Sequence, residues 1–152
     1  MRAEGTPPLG VDLPLASWST RAIGAVADAV VVGVATYPIA LGVGVRTRTD
    51  FGYVDLAVGF VYSFVLIGFF GRTLGMSMMR VYAVDADEGR TPVGTLRAAI
   101  RSATVAVLTV LAPLAVLDLL WPLWDPRNQT IHDKAARTVV LRQAERLSPE
   151  EL

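Results

Sequence analysis

The tightest constraint on this chain is how its apolar residues are distributed: they fall into long, nearly uninterrupted runs. Ala22 to Val45 contains a single charged residue, Asp28. A run of this length suits a helix crossing a hydrocarbon core of about 30 Å, which takes roughly 20 residues. A second run, Tyr53 to Phe70, has Asp55 at its mouth. A third, Ser102 to Trp124, holds Asp118 and is interrupted by Pro113 and Pro122. With 53% hydrophobic and 18% charged residues among 152, there is too little polar surface to cover a soluble core. The runs predict an all-α membrane protein: a small bundle of three to four transmembrane or re-entrant helices with short strand-like cytoplasmic segments.

Residues 1–17, with Pro7, Pro8, Gly10 and Pro14, read as an irregular lead. Residues 18–142 read as the membrane domain and 143–152 as a polar tail. Trp18, just before the first run, suits an interfacial aromatic anchor. A signal peptide is the rival reading of that run, but signal cores are typically about 7–15 residues long and follow a basic lead. Pro38 is tolerable in a membrane helix, with a kink at the far end. Between the second and third runs, Arg80 to Val84 suits a short strand. Asp85, Asp87, Glu88 and Gly89 then read as a turn. A calcium loop would need later ligands and a closing glutamate that are missing. Thr138 to Leu141 is a second strand-like piece.

Basic residues near spans favour the cytoplasm. The lead and middle segment hold seven: Arg2, Arg21, Arg72, Arg80, Arg90, Arg97 and Arg101. The first loop holds Arg46 and Arg48, and the tail holds Arg127, Lys134, Arg137, Arg142 and Arg146. Three full crossings would give seven against seven and no orientation. If the third run turns back near Pro113, the balance is twelve against two. That favours the hairpin, with lead, middle segment and tail all cytoplasmic. Length favours a single crossing, because each half would measure only about 17 Å.

Several function classes drop out. The chain has no cysteine, and its formal net charge is zero. Disulfides, thiolate chemistry and a broad basic face for nucleic acid are therefore not expected. His132 is the only histidine. Metal sites gather more ligands, and no positioned nucleophile accompanies it. No enzyme activity, metal or cofactor is expected, and His132 reads as a capping or hydrogen-bonding group near the membrane surface. The expected partners are the bilayer and other membrane proteins or further copies of the chain.

The polar residues inside the apolar runs carry what functional signal there is, because ionisable groups are costly there. Asp28 lies two turns beyond Arg21, on a similar face, with Gly24, Ala25 and Ala35 nearby. It either bonds a neighbouring helix and fixes register or serves as a cation or proton site. Asp55, Gly59 and Ser63 recur every four residues, and Gly59 with Ser63 forms a small-residue pair that lets a helix approach. Asp55 is placed to pair with Arg46 or Arg48. Asp118 has no visible partner.

Together these residues resemble the RDD family of small membrane proteins. The matching segments are Arg21-Ala-Ile-Gly-Ala-Val-Ala-Asp28, Gly71-Arg72-Thr73-Leu74-Gly75, the strand-like segment with its acidic turn, Arg101, and His132-Asp133-Lys-Ala-Ala-Arg-Thr138. The likeness runs from about Trp18 to Arg142. Arg21 and Asp28 match the first two residues of the family's name, and Asp133 the third. Arg72 departs from the polar, often glutamine, residue of many relatives. The resemblance implies a multi-pass protein of a bacterial plasma membrane. It does not imply one activity: some relatives look like cation/proton exchangers, others like accessories of larger transport systems, including actinobacterial lipid importers. Two expectations follow. One is a non-catalytic accessory or assembly subunit of a transport complex. The other is a cation/proton antiporter, oligomeric, with Asp28 as the titrating carboxylate.

Overall fold

A computed structural model describes residues 14–143. Most of the lead, with Arg2, Pro7, Pro8 and Gly10, and the tail beyond Gln143, with Arg146, lie outside the described residues. The described chain is mostly helical with one two-stranded sheet.

Helix α1 spans Trp18–Gly42, capped by Ser17, whose hydroxyl accepts from the Thr20 amide. It runs through Pro38 without ending. Helix α2 spans Arg48–Val65, capped by Thr47, and continues through a wider π-helical turn, Leu66–Phe70. These two stretches, Trp18–Gly42 and Arg48–Phe70, are long and apolar enough to cross a membrane. At 1.5 Å per residue they measure about 38 and 35 Å. Their apolar side chains point outward. On α1, Ile23, Val26, Val30, Val34, Tyr37 and Leu41 are all exposed, and their spacing of three or four forms one continuous helical stripe. Such a stripe needs lipid or another protein against it.

The chain turns at Gly71, where φ is +71° and a side chain would collide with Thr91. The short helix α3, Leu74–Met78, leads into strand β1, Val81–Asp85. The acidic turn closes as read: Asp85 accepts from the amides of Asp87 and Glu88. It also pairs with Arg97 at 2.8 Å, so it is a structural anchor and not an open cation ligand.

The third apolar run is two helices, not one. Helix α4 spans Thr95–Val110 and α5 spans Ala112–Leu120, followed by a single 3₁₀ turn, Trp121–Leu123. The break falls at Leu111 (φ −103°, ψ 76°), and Pro113 sits in the first turn of α5, where its missing N–H costs nothing. At about 24 and 14 Å neither helix alone matches the membrane core. Helix α6, Ile131–Ala136, and strand β2, Thr138–Arg142, complete the chain.

β1 pairs antiparallel with β2, Val81 opposite Arg142 and Asp85 opposite Thr138. Leu15 bridges Leu141, and the Trp18 indole donates to the Leu119 carbonyl at 2.9 Å. The start of α1, the sheet and the end of α5 therefore lie at one end of the molecule. A small core of Ile67, Met76, Val81, Val93, Ala98 and Val140 seals that end. Gly24 and Gly75 let α1 and α3 touch: a side chain on Gly75 would lie 2.0 Å from the Gly24 carbonyl oxygen.

Candidate functional site

The sealed end is organised around Asp133. Thr130 caps α6 and forms a capping box with Asp133, each side chain accepting from the other's backbone amide. This fixes the carboxylate at the first turn, fully buried. One oxygen accepts from Arg21 of α1 and the other from Arg101 of α4. Both guanidinium side chains are about nine-tenths buried. Arg101 also donates to the Thr138 hydroxyl at 3.2 Å. One carboxylate thus ties α1, α4, α6 and β2 together. Partners that meet so far from water interact strongly, and nearby Asp118 supplies the second negative charge that two guanidinium groups require.

Asp118 and His132 form a second pair beside the first. The His132 backbone amide donates to one Asp118 oxygen at 3.0 Å, and its Nδ1 lies 2.6 Å from the other. Burial, with the charge of nearby Arg101, pushes the His132 pKa down to about 4 against the pull of Asp118. The ring is neutral at pH 7, and the hydrogen bond places its proton on Nδ1. Further along, burial tends to raise the Asp125 pKa. The bond from Lys134 and the amides of Gln129 and Arg127 outweigh it and hold the carboxyl below its ordinary value.

Asp28 does not meet Arg21. Its carboxylate accepts three hydrogen bonds: from the Tyr62 hydroxyl at 2.5 Å, the Thr73 hydroxyl at 2.6 Å and the Gly75 amide at 2.7 Å. Thr73 is also the cap of α3. Asp28 therefore locks α1 to α2 and to the turn behind it. Asp55 corrects an expectation: it accepts from the buried Thr36 hydroxyl at 2.9 Å, rather than pairing with Arg46 or Arg48. Ala35 is exposed, and its neighbour Thr36 takes the inward position.

A cavity of about 400 Å³ lies between α1, α2, α4 and α5, and Asp28, Asp55, Gly59, Ser63, Asp118 and His132 all line it. Gly59 sits against Val32 of α1, with just enough room for a methyl group, as a close helix approach requires. Of the residues singled out beforehand, Gly71, Thr73 and Gly75 build the turn that receives Asp28. Arg101, singled out only through the family resemblance, proves to be a site residue, and Tyr62 was missed. The sign of Arg101 in the sequence was a basic group, after Arg97, at the head of an apolar run; Tyr62 left none. Among the described residues, no group of three His, Asp or Glu is arranged to hold a metal ion.

No curated protein and no solved structure matched the chain. Residues 15–137 match the sequence profile of the RDD family. Within that match lie Arg21, Asp28 and Asp133, three of the residues that bind the helices to one another. Two apolar helices of membrane-crossing length and a match over most of the chain agree: this is a membrane-type protein, and it belongs to the RDD family.

Proposed function

We propose that the protein is a non-catalytic accessory or assembly subunit of a membrane transport complex in a bacterial plasma membrane, with its lead, middle segment and tail in the cytoplasm. The observation that carries this reading is the commitment of its carboxylates. Asp28 has three internal donors, Asp133 two buried arginines, Asp118 a histidine and Asp55 a threonine. Groups spent on holding helices together make a scaffold. The exposed apolar stripe of α1 supplies a surface for neighbouring helices. The re-entrant reading of α4 and α5 belongs here too: it places twelve basic residues on one side against two on the other. A cell-envelope lipid importer is one complex of the kind that the family suggests.

A second reading is favoured by one observation: Asp28, Asp55 and Asp118 all line the same cavity. In a cation/proton antiporter, working as an oligomer, Asp28 would release its internal donors in exchange for a cation. Mild-detergent co-purification separates the two readings. A larger transporter recovered in fixed ratio, with no flux from the isolated protein, supports the accessory role. Cation flux driven by a pH gradient in proteoliposomes, abolished by Asp28→Asn, supports the antiporter and sinks the first reading.

A further inference from the structure

The scaffold reading leaves the cavity itself unused. Its volume of about 400 Å³ falls in the roughly 300–1,000 Å³ range of small-molecule sites. Ala25, Val32, Leu56, Phe60, Val105 and Leu119 give it apolar walls. At one end the lining turns polar, with Arg21, Ser102 and His132.

That polar end has unspent hydrogen-bonding capacity. The Ser102 hydroxyl and the Arg21 Nε are buried without a partner, which is costly and uncommon. His132 Nδ1 is engaged by Asp118, which leaves Nε2 as an acceptor. Asp133 Oδ1 stands 3.8 Å from it, beyond hydrogen-bond reach. The arginine charges, by contrast, are spent: Arg21 and Arg101 face Asp133, and nearby Asp118, which accepts from the neutral His132 ring, supplies the second negative charge. Asp28 and Asp55 are held by their own donors. At this end an anionic head would find both arginines already matched and a cationic head would meet their positive charges, while an uncharged head that both donates and accepts would find partners.

The geometry points to a binding site for a single-chain amphiphile with an uncharged, hydroxyl-bearing head, of the monoacylglycerol class, entering from the bilayer. Its chain lies along the apolar walls, and its hydroxyls meet Ser102, Arg21 and His132. The site stands on its own residues, whether the protein works alone or within a larger complex.

The test is photolabelling in phosphatidylcholine nanodiscs doped with a diazirine-bearing monoacylglycerol, read by peptide mass spectrometry. Label is expected on Ala25 and Val105. Excess monooleoylglycerol should displace it, while oleate and oleylamine should not. Ala106→Trp, which fills the cavity, should cut labelling by about tenfold or more, the loss of roughly 1.4 kcal/mol or more in binding. Ala115→Phe is a second filling variant, each compared with the parent for melting temperature. Ser102→Ala removes a hydroxyl that bonds nothing in the fold, so it should weaken displacement by monooleoylglycerol without loss of stability. Label confined to outward Val30 and Val107, equal displacement by oleate, or indifference to both cavity filling and Ser102→Ala would overturn the site.

Discussion

Asp133→Asn isolates the charge at the centre of the fold. The amide keeps the shape of the side chain and still accepts from the Thr130 backbone, so the cap of α6 survives. What disappears is the only charge shared by Arg21 and Arg101. With side chains 10%, 8% and 0% exposed for Arg21, Arg101 and Asp133, solvent screens little of the imbalance. Removing one partner of a buried ion pair costs about 3–5 kcal/mol. Loss of a helix cap costs about 1 kcal/mol, and an exposed pair contributes about 0–1 kcal/mol, so the magnitude distinguishes these origins. For a chain of this size, at about 2–4 °C per kcal/mol, the melting temperature should fall by roughly 6–20 °C. Thermal unfolding in detergent, followed by the fluorescence of Trp18, Trp121 and Trp124, measures it. Replacing the whole cluster, Arg21→Met and Arg101→Met with Asp133→Leu, should recover part of the loss, because no guanidinium is then left buried without a carboxylate. The Asp133 half of the α6 capping box and the positive charges near Asp118 are lost with it. A melting temperature for Asp133→Asn within about 2 °C of the parent, under 1 kcal/mol, would refute the reasoning.

Two other perturbations follow from the same geometry. Gly75→Ala drives a methyl group to 2.0 Å from the Gly24 carbonyl and should destabilise severely, while Gly33→Ala, with nothing within 4 Å, should be neutral or slightly stabilising; paired melting curves check the contrast. His132 makes stability depend on pH. Its folded pKa of about 4 lies below the ordinary 6.5, so between those values the unfolded chain binds the extra proton. Stability should be full above pH 6.5 and should decline as the pH falls toward 4, by up to about 3 kcal/mol. His132→Gln should flatten the decline, and a melting temperature that rises on acidification in the parent would contradict it.

The long-range architecture was legible where physics is local. The two spanning helices follow from run length, and the strands from Val81-Tyr-Ala-Val and Thr138-Val-Val-Leu. The small residues Gly59, Gly71 and Gly75 fall where close approach or a left-handed turn demands them. The turn in the third apolar run was half legible. Pro113 marked the neighbourhood, but the break lies at Leu111, because a proline fits comfortably in the first turn of the helix it begins. The pairings were not legible. His132 and Asp118 are fourteen residues apart on different helices, and Arg101 reaches Asp133 only after β1 and β2 bring α4 beside α6. Asp55 illustrates the limit. Arg46 and Arg48 were nearer in sequence, yet an inward-facing threonine on α1 satisfies it. Asp28 was identified as a polar group in a packing face, but its donors sit on Tyr62, Thr73 and Gly75, which no periodicity connects to it.

The most direct test of the folded-back arrangement is cysteine accessibility, which the absence of native cysteine makes clean. Glu88 and Gln143 are exposed near the paired strands, and Thr49 is exposed at the start of α2, beyond the far end of α1. In sealed, oriented vesicles carrying Glu88→Cys, Gln143→Cys or Thr49→Cys, a membrane-impermeant maleimide should reach the first two from the same side and the third only from the other. Labelling of Glu88→Cys and Gln143→Cys from opposite sides would mean that the third apolar run crosses the membrane once, and the arrangement described here would fall.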